Sequence, residues 1–137
     1  MQWSSDKIVA WHCMVMPNAT IETQMRKVED ELAEFREAMY EYTQEDGSLS
    51  DAIEELADVY IASLILERRY ESAVGSLVRS SVIESACRLL MDESGIGLRL
   101  LNMVIQSVDD KMTNNANRVW EETSKGYYQH VDTEGLQ

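Results

Sequence analysis

Apolar side chains recur along this chain at helical spacing. From Met25 they continue as Val28, Leu32, Phe35, Met39 and Tyr42, at alternating steps of three and four. That stripe predicts a long amphipathic helix. Thr20 precedes it as an N-cap, with Glu22 in the first turn. MPNAT (16–20) separates it from a short first helix over Ser5–Met14, because proline cannot continue a helix interior. QEDGS (44–48) predicts the next turn, and Ser48 with Asp51 offers a capping box for a third helix running to about Tyr70. The remainder reads as helical, broken near Gly75 and at SGIG (94–97), with a final long helix from about Leu98 to Glu122. From Thr123 the chain is polar and glycine-containing, which predicts a tail over 123–137 that is loose or docks on a partner subunit. Alternating β-branched runs and Asn-Gly hairpins are absent. The expectation is an all-α fold, a bundle of four or five helices, forming a single domain over 1–137.

Two short stretches interrupt this regularity with charge. DELAE (30–34) and EELAD (54–58) each place two acids three residues apart: Glu31 with Glu34, and Glu55 with Asp58. At about 100° per residue, Glu31 lies at the edge of the Met25–Tyr42 stripe, with Glu34 one step further round. On the third helix Ile53, Leu56, Tyr60 and Leu64 form one apolar face, and Glu55 and Asp58 lie roughly opposite. The same side then continues as Val59, Ala62 and Leu66, so the helix becomes apolar all round, the mark of burial in a domain or an oligomer. Glu-rich helix surfaces are usually solvated faces. Two pairs beside packed faces are different, because unpaired buried charge costs several kcal/mol per ion.

Charge composition sharpens the question. The 137 residues carry 12 Lys+Arg against 25 Asp+Glu, a formal net charge of −13. Basic partners are therefore scarce, and oxygen ligands without an accompanying His or Cys suit Mg2+ or Mn2+. His12 and His130 sit in no ExxH pair, so a di-iron bundle site is not supported. The negative charge argues against a nucleic-acid partner. Cys13 and Cys87 form no CxxC pattern, and the longest apolar run, VYIASLIL (59–66), is far short of the roughly 20 residues that span a bilayer. With no visible targeting segment, the expectation is a reduced, cytoplasmic protein that does not enter a membrane.

With these residues in view, the chain resembles the MazG-type all-α nucleotide pyrophosphohydrolases, whose signature is ExxE on one helix and ExxD on the next. Here these are Glu31-Leu-Ala-Glu34 and Glu55-Leu-Ala-Asp58. MPNAT followed by KVEDELAEF, and KMTNNANRVW (111–120), resemble the opening and closing motifs of the phage-type dATP/dGTP pyrophosphohydrolases. The resemblance covers about 11–66 and 95–120. It departs at Met16, where an aromatic is usual, and at 67–94, which is longer than the usual link.

The resemblance implies Mg2+-dependent hydrolysis of deoxynucleoside triphosphates, dATP and dGTP first, to monophosphate and pyrophosphate. Glu31, Glu34, Glu55 and Asp58 would hold two or more Mg2+ ions (or Mn2+), and Glu31 or Glu34 would orient or deprotonate the attacking water. It also implies a homo-oligomer, dimer or tetramer, in the cytoplasm (the host cytoplasm if phage-encoded). Lys111, Asn115 and Arg118 recur at helical spacing and suit a triphosphate. Lys27, one turn before Glu31, could balance the acids or touch phosphate. Trp11 and Asn18, flanking the proline turn, could contact the base. Two alternatives stand beside this one: a dUTP or dCTP pyrophosphatase of the same fold, and a non-catalytic acidic helical protein that binds a partner by imitating nucleic-acid charge.

Overall fold

The computed structural model describes residues 2–90, 96–123 and 127–131. Among these, the chain forms α1 (Ser5–Val15), α2 (Ile21–Gln44), α3 (Leu49–Arg69), α4 (Ala73–Leu90) and α5 (Ile96–Ala116), followed by β1 (Val119–Glu122) and β2 (Tyr128–Val131). The all-α expectation holds, apart from this two-stranded hairpin. None of these helices is long and apolar enough to cross a membrane.

Side-chain caps set the helix starts. The Ser4 side chain accepts from the Lys7 N–H at 3.2 Å to open α1. At α2 the Thr20 hydroxyl accepts from Thr23 N–H at 3.2 Å, and the Thr23 hydroxyl accepts in return from Thr20 N–H at 2.9 Å. This reciprocal cap satisfies two otherwise orphaned donors. At α3 only the Ser48 half of the expected box forms, its hydroxyl accepting from Asp51 N–H at 3.0 Å.

α3 is the centre of the molecule. It packs against α1, α2, α4 and α5, and it buries Ile53, Leu56, Val59 and the whole run Ile61–Leu66. Its all-round apolar character is therefore satisfied inside one chain and requires no partner subunit. On α2, Val28, Phe35 and Met39 are buried as the stripe predicts, whereas Met25 is 39% exposed. The first turn of α2 instead buries Gln24, whose amide donates to the Ala62 carbonyl at 2.9 Å.

The break expected near Gly75 lies earlier, at Tyr70–Ser72, where Glu71 takes a left-handed backbone with φ of 51°. Gly75 sits within α4 and lets it approach α3. A Cβ there would collide with the Ser63 carbonyl oxygen and stand 2.6 Å from Glu67 N. Both obstacles are helix backbone, which cannot move aside as a flexible side chain would. Gly75→Ala is expected to destabilise the protein by ~1–3 kcal/mol, read as a lowered thermal midpoint.

The final helix also ends earlier than expected, at Ala116 rather than near Glu122. The last turn tightens through Asn117 N–H to Asn114 O and Arg118 N–H to Asn115 O, at 3.1 and 3.2 Å. The Trp120 indole N–H donates to the same Asn115 carbonyl at 2.9 Å. Competing polar contacts make an asparagine-rich turn a poor helix continuation.

The hairpin that follows pairs Trp120 with His130 and Glu122 with Tyr128. A tail that is loose or docked on a partner was expected from Thr123. Residues 128–131 instead fold back on their own chain, while 124–126 and 132–137 lie outside the described residues. An isolated two-stranded hairpin is marginal in water. Here Trp120 and Tyr128 pack against the core, and the Tyr128 hydroxyl accepts from Asn18 N–H at 3.2 Å.

Candidate functional site

α2 and α3 lie side by side and bring the two acidic pairs together. One carboxylate oxygen from each of Glu31, Glu34 and Glu55 falls within 4.8 Å of the others. Asp58, the fourth predicted acid, is not part of that trio. It lies beside it and pairs with Lys111 on α5, Nζ to Oδ2 at 3.3 Å.

The expected scarcity of cations is only partly right. Lys27 Nζ stands 2.8 Å from Glu31 Oε1, one helical turn away, so two of the four acids have a lysine. The other oxygen of Glu31 and the Oε2 of Glu55 are buried with no hydrogen-bond partner among the described residues. Elsewhere on α3, Glu67 Oε2 lies 2.5 Å from Nη2 of Arg79 on α4, an ion pair with an opposite charge such as the four acids find in Lys27 and Lys111.

The electrostatic consequence follows directly. Burial, then the charges of Asp58, Glu34 and Glu31, push the Glu55 carboxyl up to about 7, with Lys111 pulling weakly the other way. Burial also raises Glu31 against the pull of Lys27, and raises Asp58 against the pull of Lys111. Three neighbouring carboxyls thus hold protons more tightly than carboxyls in water. The donor set is all oxygen, and two of its buried atoms lack partners among the described residues. Such residues could hold a hard divalent cation.

Glu31, Glu34 and Asp58 line a cavity of about 500 Å³; Glu55 is not among its lining residues and reaches the site only through its closeness to Glu31 and Glu34. Lys27, Lys111, Asn115, Arg118 and Trp11 line the same cavity, so most of the residues singled out from the sequence meet in one place. Arg118 does so from beyond the end of α5, with its Nη1 at 3.4 Å from Asn115 Oδ1. Asn18 is not among the lining residues; its side-chain amide donates to Glu122 Oε2 at 3.0 Å and helps hold the hairpin.

The cavity has a second, aromatic wall that sequence reasoning missed. Trp120, Tyr127, Tyr128, Gln129 and His130 line it from the hairpin, and His12 lines it from α1. Trp11 and Trp120 meet edge to face with centroids 5.9 Å apart, and Trp120 meets His130 the same way at 5.8 Å. The available signal was a glycine, Gly126, between two short segments rich in aromatic and β-branched residues. His12 and His130, which sit in no ExxH pair, both line this cavity.

Comparison with known proteins finds no matching family model, no matching curated protein and no matching solved structure.

Proposed function

We propose that this protein hydrolyses nucleoside triphosphates to the monophosphate and pyrophosphate, with Mg2+ or Mn2+ held by Glu31, Glu34 and Glu55 and with Asp58 beside them. One observation carries the reading: three carboxylates converge within 4.8 Å beside a cavity whose wall also bears Lys111, Asn115 and Arg118. Carboxylates that could hold a cation, together with cationic and amide groups lining one cavity, suit a polyphosphate. The motif resemblance supports the same reaction, and adds a preference for the purine deoxynucleotides.

In this reaction a water oxygen bonds to the α-phosphorus, and the bond from that phosphorus to the bridging oxygen of the β-phosphate breaks. A bound divalent cation would polarise phosphoryl oxygens and make water a better nucleophile. Glu31 or Glu34 orients that water and accepts its proton. Lys27 holds Glu31 in place through its 2.8 Å contact. Lys111 and Arg118 take up charge on the departing pyrophosphate, while the Asn115 amide donates to its oxygens.

Assembly into a dimer or tetramer is part of the proposal. Val74, Leu77 and Leu89 on α4, and Leu101, Met103 and Ile105 on α5, expose apolar side chains that an interface would cover. The alternative of a non-catalytic acidic surface fits less well, because Glu31 is only 6% exposed and one Glu55 oxygen is sealed from solvent.

A panel of nucleoside triphosphates with Mg2+, analysed for products in 18O-labelled water, tests the reading. Label should enter the monophosphate, and chelation should stop turnover. Label found only in free phosphate would mean cleavage at the γ-phosphorus, and sink the reaction proposed.

A further inference from the structure

The aromatic wall contains one polar group whose state is settled by its neighbour. His12 is 3% exposed and lines the cavity beside Trp11, their ring centroids 6.3 Å apart. Its Nδ1 lies 2.7 Å from Arg69 Nη1. A guanidinium has only donors, so Nδ1 must be the acceptor and the ring proton must sit on Nε2. Arg69 is itself held firmly: the same nitrogen donates to the Met16 carbonyl at 2.9 Å, and Nη2 donates to the Pro17 carbonyl at 3.2 Å. Burial, then the charge of Arg69, push His12 down to about 4, so the ring is neutral near pH 7. Among the described residues the ring's hydrogen bond is the one at Nδ1. The cavity is thus offered a fixed N–H donor beside Trp11.

Resting on the nucleotide reading above, we propose that His12 selects bases with an exocyclic carbonyl, as in guanine or uracil, over bases with an exocyclic amine there, as in adenine or cytosine. The Nε2–H of His12 donates to that carbonyl, and Arg69 is the positioning residue that fixes the tautomer. An amine in the same place would oppose one donor with another. A site built around a hydrogen bond rejects a ligand unable to complete it far more strongly than a site that merely loses a contact. The inference separates keto from amino bases, and so narrows the purine preference proposed above to dGTP over dATP.

Titration calorimetry with the α,β-imido analogues of dGTP, dATP, dUTP and dCTP, in the presence of Mg2+, measures binding without turnover. The unaltered protein should bind the dGTP analogue over the dATP analogue, and the dUTP analogue over the dCTP analogue, by roughly tenfold or more, the value of one well-made base contact. His12→Phe should bring both ratios close to one. His12→Gln, whose amide N–H reaches the position of Nε2, should retain them. Should His12→Phe not fold, His12→Asn makes the comparison, since its shorter amide cannot reach that position. Ratios unchanged in His12→Phe or His12→Asn would overturn the assignment and leave His12 a packing residue. Binding of all four analogues without keto preference would overturn it while sparing the triphosphate reading. Binding of none would remove both.

Discussion

Glu55→Gln should lose turnover by a factor on the order of 10²–10³, while the metal-free protein melts at a higher temperature at pH 8 than the unaltered chain. Opposite signs in activity and stability are the mark of a residue placed for function rather than for folding. Among the described residues, Glu55 has a buried oxygen without a hydrogen-bond partner and no ion pair with a lysine, and the charges of Asp58, Glu34 and Glu31 on it outweigh that of Lys111. Its ionised form is therefore disfavoured in the folded state, and an amide of nearly the same shape removes that penalty. The pH dependence carries the same sign. The folded carboxyl titrates at about 7 against 4.5 for an unperturbed one, so the folded state binds the proton more tightly. The associated stability is fully present below about 4.5 and is lost as pH rises through 7. His12 works in the opposite direction: its pKa falls to about 4 from 6.5, and its contribution is lost on acidification. The useful quantity is therefore the difference between the unaltered chain and Glu55→Gln, followed by denaturant unfolding from pH 4.5 to 8. A variant that melts lower at every pH and still turns over substrate would assign Glu55 a structural role.

Addition of Mg2+ or Mn2+ to the metal-free protein should raise its melting temperature, and more so at pH 8 than at pH 5.5. A ligand that binds only the folded state stabilises it by about 2.7 kcal/mol at one hundred times its dissociation constant. For a chain of this size that amounts to a rise of roughly 5–10 °C. The pH dependence arises because cation binding requires ionised carboxylates, and Glu55 is largely protonated below about 7. Glu31→Gln and Glu55→Gln should each suppress the shift. Lys111→Met should preserve it, since Lys111 contacts Asp58 and not the converging trio. Calorimetric scans with and without chelator read the effect, and a pH-independent rise shared by the variants would place the cation elsewhere.

Much of the acidic wall was legible because helical periodicity is a local property. Glu31 and Glu34 are neighbours on any helix, as are Glu55 and Asp58, and the caps at Thr20 and Ser48 mark where those helices begin. Lys27 pairs with Glu31 for the same reason, at i and i+4. The aromatic wall was not legible in the same way. A short hairpin has little periodicity to read, and Trp120 and Tyr128 hold it in place through contacts with residues more than a hundred positions earlier in the chain, Trp11 and Asn18. Gly75 misled because a glycine that ends a helix and a glycine that lets two helices touch look identical in sequence. Only the approach of α4 to Ser63 and Glu67 separates them.

By itself the sequence determined the helices α2 and α3 with their caps, most of the apolar stripe that α2 buries, and that four acids stand in two pairs on those successive helices. Each of these follows from spacings of three and four along one element. The tertiary structure alone decided that Glu31, Glu34 and Glu55 converge while Asp58 turns to Lys111, and that α3 buries its whole circumference within one chain. It also decided that Arg69 fixes the proton of His12 across a separation of 57 residues. Those outcomes depend on how helices pack and on which charge meets which across the gap. No pattern confined to one helix contains that information.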